Sequence, residues 1–173
     1  MNNYKVLEDS SWFIFMNHGY SPASKLLDEN NIFINSASLY LNLLDGINTK
    51  GKTILVVGCG RGGGVKTYSE VLEFDEIHAC DYNEKFIDFC KNTHNDIKFK
   101  VCSATELTSA YNQNTFDIIT NVESSHCYFA KPTEKDLKLE YPDSSKFLIH
   151  HVFGLNRFFD GVSSILKSEG TFC

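Results

Sequence analysis

The sequence predicts an α/β fold: a parallel sheet with helices on both faces, preceded by an N-terminal helical cap. Three observations carry this expectation. Short apolar runs near residues 53–57, 76–81, 96–101 and 116–122 recur with helical patterns between them. Strands that alternate with helices at this spacing need crossover connections, and crossovers of that length join parallel strands. A cluster of glycines, Gly58-Cys59-Gly60-Arg61-Gly62-Gly63-Gly64, follows the first run directly and opens a helical stretch.

Taken in order, residues 1–50 form the cap, in which Ser38–Leu44 places Leu39 and Leu43 on one helical face and Gly46 follows as a stop signal. Residues 51–173 form the core, and cap and core make one structural domain. Thr53–Val57 is an unbroken apolar run, as expected of a strand buried on both faces. Val65, Tyr68 and Leu72 recur at helical spacing, and Glu76–Cys80 returns to a strand that ends at Asp81. Asn83–His94 places Phe86, Phe89 and Cys90 on one helical face, and Asp96–Val101 alternates polar and apolar residues as a strand does. Phe116–Val122 is the fourth strand. Phe147, His151, Leu155, Phe158, Val162 and Ile165 then mark a long amphipathic helix that is expected to end at Ser168-Glu169-Gly170. The stretch at about 129–146 is an insertion, read as a lid over the substrate.

Composition bounds the function. With 42% apolar and 13% aromatic residues among 173, the chain has material for a packed core, which excludes intrinsic disorder as its main state. Its net charge of −6, with no basic run, argues against nucleic acid as a partner, because phosphate binding starts from a basic footprint. No apolar run approaches the ~20 residues that cross a bilayer. The chain is therefore expected to be soluble and cytoplasmic. Its six cysteines form no C-x-x-C pair and read as reduced, buried thiols, and its six histidines show no ligand spacing, so no metal is expected.

The chemistry lies at the glycine cluster. Glycines after a strand permit a tight turn and let a ligand approach the backbone, and Asp81 ends the next strand 23 residues after Gly58. A carboxylate there can accept two hydrogen bonds from ribose hydroxyls, or it can cap the helix that follows. Strand, turn, helix and acid together point to a nucleoside. Two ligand classes use this arrangement, the dinucleotides and S-adenosylmethionine.

The succession Ile54–Gly64, Asp81-Tyr82-Asn83, Phe116–Ile119 and Ile165–Gly170 resembles the class I S-adenosylmethionine-dependent methyltransferases, whose core is a Rossmann-like sheet. The turn Cys59–Gly64 and the segment Asn121-Val122-Glu123-Ser124-Ser125-His126-Cys127-Tyr128 are similar to the phthiotriolone-type lipid and polyketide O-methyltransferases. Asn17-His18-Gly19-Tyr20 looks like the Gly-Tyr element before their core. The resemblance implies S-adenosylmethionine as cofactor and a small-molecule substrate. By this likeness Gly58, Cys59, Gly60 and Gly62 surround the methionine part, Asp81 holds the ribose, Tyr82 lies on the adenine side and Ser103-Ala104 line the adenine edge. Asn121 meets the cofactor near the reacting sulfur, and the Tyr20 hydroxyl reaches the cofactor carboxylate unless its ring only packs the cap. His126, just after the fourth strand, suits a general base, with a structural hydrogen bond under the insertion as the other reading. Glu123 is assigned to orienting His126, touching the cofactor or binding substrate.

The chain departs from the family at Val56, where many relatives carry an acid, and at Ser103, where they often place an aspartate. Its fifth strand is expected only to begin at Gly170-Thr171-Phe172-Cys173, so the family's final strands are read as missing. The fourth strand is then an exposed edge that a homo-oligomer or a partner chain would cover. The leading function is methyl transfer to a hydroxyl or similar nucleophile of a small metabolite. A non-catalytic cofactor-binding or scaffold subunit is the alternative, and a nicotinamide oxidoreductase stands behind both.

Overall fold

The computed structural model describes residues 15–21, 33–94, 96–131 and 146–173. Its elements are α1 (Ile34–Leu43), β1 (Thr53–Val57), α2 (Gly63–Val71), β2 (Glu76–Asp81), α3 (Glu84–Thr93), β3 (Lys98–Val101), the short α4 (Leu107–Ala110), β4 (Phe116–Asn121), α5 (Lys146–Ile165) and β5 (Leu166–Phe172). The strands form one five-stranded sheet in the order β3-β2-β1-β4-β5. Every pairing is parallel, with Val57 opposite Cys80 on one side and Asn121 on the other. The expected Rossmann-like architecture is therefore present, with β1 at its centre.

Because side chains alternate across a strand, β1 feeds two cores. Leu55 and Val57 pack with Phe116, Phe158, Val162 and Ile165 on the α5 side. Ile54 and Val56 pack with Val65, Tyr68, Ile77 and Ile87 on the α2 and α3 side. Val56, where relatives carry an acid, is thus part of the apolar interior.

Several boundaries differ from expectation. On α1 the buried residues are Ala37, Ser38 and Leu41 rather than the Leu39/Leu43 face, because the helix turns Tyr40 toward Tyr68, ring edge to ring face at 5.8 Å. On α3 the buried residues are Ile87 and Cys90, while Phe86 and Phe89 receive the guanidinium of Arg61, 5.7 Å from each ring centroid. Helix α5 ends at Ile165, not at Ser168-Glu169-Gly170, and β5 begins at once. The carbonyls of Ser164 and Ile165 accept the N–H groups of Asn114 and Thr115, which draws the chain into the sheet. Leu166 pairs with Phe116 and Thr171 with Ile118, so the intervening polar residues bulge out of register. That bulge is what resembled a helix stop. The sheet consequently has five strands, and β4 is flanked by β1 and β5 rather than forming an edge. Residues 132–145 of the insertion and much of the cap, together with the side chain of Phe147, lie outside the described residues.

Candidate functional site

Strand order reverses between β1 and β4, and open parallel sheets hold ligands at the carboxyl ends of their strands at such a point. A cavity of about 530 Å³ opens there. Its floor is the turn after β1, one side is the end of β2 with the turn after β3, and the opposite wall is the segment 122–129 after β4.

The floor is shaped by its glycines. Gly58, Gly60 and Gly62 have φ of 70°, 54° and 86°, a region in which a side chain is strained. At Gly58 the restriction is also steric, since an added Cβ would lie 2.8 Å from Ser124 Cβ and 3.0 Å from the Tyr128 hydroxyl. Gly58 and Cys59 N–H both donate to the Cys80 carbonyl, at 2.8 and 3.0 Å. The turn is thereby sewn to β2.

Asp81 is the buried carboxylate of the site, and it lines the cavity. Its Oδ2 accepts the Gly60 N–H and its Oδ1 the Asn83 N–H, each at 2.9 Å. A carboxylate offers about four lone-pair sites, so one on each oxygen remains unused. Asp81 does not cap α3; Asn83 does so, its side chain accepting the Lys85 N–H at 3.1 Å. Beyond β3, the Ser103 hydroxyl caps the next turn, 2.9 Å from Thr105 Oγ1 and 3.3 Å from Thr105 N, and Ala104 is buried beside it.

The wall after β4 is held by a cluster of polar groups. Asn121 Nδ2 donates to the Val57 carbonyl at 3.0 Å and to Ser124 Oγ at 2.7 Å, and it also meets the Tyr128 hydroxyl. Ser124 Oγ and Tyr128 OH are 2.7 Å apart, and burial pushes the Tyr128 phenol up to about 12, so it stays a neutral donor. From below, His151 Nδ1 lies 3.0 Å from the Tyr128 carbonyl and Ala130 N–H donates to the His150 carbonyl at 3.0 Å. Gly154 lets α5 touch this segment backbone to backbone, for a Cβ there would lie 2.5 Å from the Tyr128 carbonyl carbon.

Of the residues singled out in the sequence, Gly58, Cys59, Gly60, Asp81, Tyr82, Ser103, Ala104, Glu123 and His126 converge on this one cavity. Three do not line it. Gly62 instead gives way to Cys90 and His94, each 3.1 Å from where its Cβ would be. Asn121 sits behind the wall with its amide nitrogen engaged. Tyr20 is held by its backbone, its N–H donating to the Asn35 carbonyl at 2.9 Å. No hydrogen bond joins Glu123 to His126 among the described residues; the Glu123 carboxylate accepts the His18 N–H at 3.1 Å, and Glu123 adopts φ of 50°. Sequence reasoning missed Tyr40, Ser124, Tyr128 and Phe129 as lining residues. An aromatic at helical spacing reads as core, and Tyr40 is indeed buried enough to raise its phenol to about 12, against a lowering Asn17 hydrogen bond.

Residues 54–139 match the family model described as a methyltransferase domain. The chain is 31% identical over 122 residues to a fatty-acid O-methyltransferase of Mycolicibacterium smegmatis, covering 66% of this chain and 43% of that protein. It is 30% identical over 91 residues to a phthiotriol/phenolphthiotriol dimycocerosates methyltransferase of Mycobacterium leprae, covering 53% and 34%. The chain thus spans less than half the length of these relatives. Among solved structures, the cyclase SpnF superposes with a TM-score of 0.62 at 16% identity over 91% of this chain and 50% of that one. An S-adenosylmethionine-dependent methyltransferase from Clostridium acetobutylicum superposes with 0.55 at 17% identity over 79% and 47%. At these identities the superpositions speak for the fold alone, whereas the match over residues 54–139 and the resemblance to the two mycobacterial proteins speak for descent. Residues 54–139 thus form a methyltransferase domain, on a fold shared with S-adenosylmethionine-dependent methyltransferases.

Proposed function

We propose that this chain transfers a methyl group from S-adenosylmethionine to a hydroxyl or similar nucleophile of a small, lipid-like or polyketide-like metabolite. The observation that carries the reading is the Asp81 carboxylate. It is fixed by two backbone N–H groups, keeps one unused acceptor site on each oxygen, and lies beside a glycine-rich turn. Two vicinal ribose hydroxyls are the donor pair that fits it. The residues present therefore suit the cofactor, with Gly58, Cys59 and Gly60 toward its amino-acid part and Tyr82, Ser103 and Ala104 toward the base. When bound, the cofactor supplies a sulfonium-activated methyl group, so the protein has to align the acceptor and manage its proton. His126 lines the cavity, is exposed, and makes no side-chain hydrogen bond among the described residues, so its ring is available to take that proton. The names of the two mycobacterial relatives support a lipid acceptor. Asn121 has a different part, holding the wall rather than touching the cofactor.

The test is calorimetric titration with S-adenosylhomocysteine. Micromolar binding is expected, and Asp81→Ala is expected to weaken it by about 10- to 100-fold, from the loss of hydrogen bonds to a charged acceptor. A folded chain that binds NADH but not S-adenosylhomocysteine would overturn the reading. Its mass in solution, measured in the same experiment, tests the expected homo-oligomer or partner chain.

A further inference from the structure

We propose that Glu123 is a positioning residue, the latch of a strap formed by residues 15–21, and that this latch sets how fast a ligand leaves the cavity. The strap is fastened on one side to α1. Phe15 stacks on Phe33 at 5.5 Å, Asn17 Nδ2 donates to the Ser36 carbonyl at 3.0 Å, and Tyr20 N–H donates to the Asn35 carbonyl at 2.9 Å. Gly19, with φ of 79°, lies so close to α1 that a Cβ would meet Asn35 Cβ at 3.0 Å. From this anchorage the strap reaches over the cofactor turn, where Met16 Sδ is 3.1 Å from the Cβ position of Gly60, and Met16 and Asn17 line the cavity.

Across the cavity the described residues provide one hydrogen bond, from His18 N–H to Glu123 Oε2 at 3.1 Å. Glu123 reaches it because its backbone takes φ of 50°, a conformation a non-glycine residue holds only where its surroundings enforce it. The enforcement is local: on its carboxyl side Ser124 is fixed to Asn121 and Tyr128, and on its amino side β4 ends at Asn121. A carboxylate accepting a backbone N–H from a segment that the described residues otherwise anchor on the far side makes a closure that can open without unfolding either support. The bond is exposed, so water competes for it, and it suits a gate better than a staple.

The experiment measures two quantities on the intact chain and its Glu123→Ala and Glu123→Gln variants. The first is hydrogen exchange of the His18 amide without ligand. Glu123→Ala is expected to accelerate it about tenfold, and Glu123→Gln, whose amide oxygen still accepts, to leave it near the native rate. The second, which rests on the cofactor reading above, is the dissociation rate of S-adenosylhomocysteine, expected to rise about fivefold in Glu123→Ala and to return toward native in Glu123→Gln, with melting temperature unchanged in both. An unchanged His18 exchange rate in Glu123→Ala, or equal dissociation rates in the alanine variant and the native chain, overturns the latch. A native chain that binds no S-adenosylhomocysteine instead removes the cofactor reading, and His18 exchange alone then decides whether the strap is latched.

Discussion

Gly58 and Gly46 make a matched pair for measuring the close approach at the floor of the site. Both take positive φ, 70° and 77°, but a Cβ on Gly46 meets nothing within 4 Å, whereas one on Gly58 would run into Ser124 and the Tyr128 hydroxyl. Gly46→Ala should therefore report the backbone cost alone, about 1–2 kcal/mol. Gly58→Ala should add an overpacking cost of about 1–3 kcal/mol, giving about 2–5 kcal/mol in total. For a chain of this size that corresponds to a fall in melting temperature of about 5–15 °C, against a few degrees for the control. Thermal unfolding followed by circular dichroism reads both. The double variant Gly58→Ala/Ser124→Gly removes the nearest obstruction, so a coupling of about 1 kcal/mol or more in the restoring direction is expected from the cycle. If Gly58→Ala costs no more than Gly46→Ala, the segment after β4 does not lie on the glycine turn, and the account of the cavity's wall fails with it.

Two further outcomes follow from Asp117 and from the thiols. Asp117 joins the start of β1 to β5, accepting the Thr53 N–H at 3.0 Å and meeting Lys167 at 2.8 Å and Lys52 at 3.5 Å. Desolvation pushes its pKa up, but the Lys167 and Thr53 hydrogen bonds with the two lysine charges outweigh it, and the net shift is downward. A folded-state value below the unfolded one, about 3.9, means that its stabilisation is complete above that pH and is lost as pH falls through the folded value. Asp117→Asn should accordingly flatten the stability profile below about pH 4 and lower stability at neutral pH, as read by denaturant titration at several pH values. The thiols offer a separate check, since Cys127 is exposed, Cys173 half-buried and the other four buried. Alkylation of the native protein with mass mapping should label Cys127 first and Cys173 next, and early labelling of Cys80 or Cys90 would contradict the packing.

What could be read in advance follows from which residues act locally. The apolar run at 53–57 and the alternation at 96–101 read as strands, and the structure has strands at 53–57 and 98–101; the glycine turn, Asp81 and the segment after Asn121 meet at one cavity. Asp81 lines it as expected because its position at the end of β2 is set by a strand whose length the sequence states openly. The position of Asn121 behind the wall was not legible, because its partners, Val57, Ser124 and Tyr128, are fixed by strand pairing and by the positive φ of Glu123, neither of which periodicity can express. Glu123 was assigned a choice of roles near the chemistry, whereas its observed partner lies 105 positions earlier in the chain. The beginning of β5 was concealed for a related reason: its polar bulge mimics a helix terminus, and only the carbonyls of Ser164 and Ile165 meeting the loop before β4 reveal the strand.

The direct contact of α5 with the Tyr128 backbone at Gly154 gives the two sides of the cavity different foundations. The floor rests on β1 and β2 and can shift only if the middle of the sheet shifts. The wall hangs on a twenty-residue helix through Gly154, His150 and His151. A small roll or slide of that helix would reshape the wall while leaving the Asp81 carboxylate where it is. Under the function proposed above, substitutions along α5 would retune the acceptor without weakening the cofactor's hold, and a lineage of such chains could diversify its substrates by editing one helix.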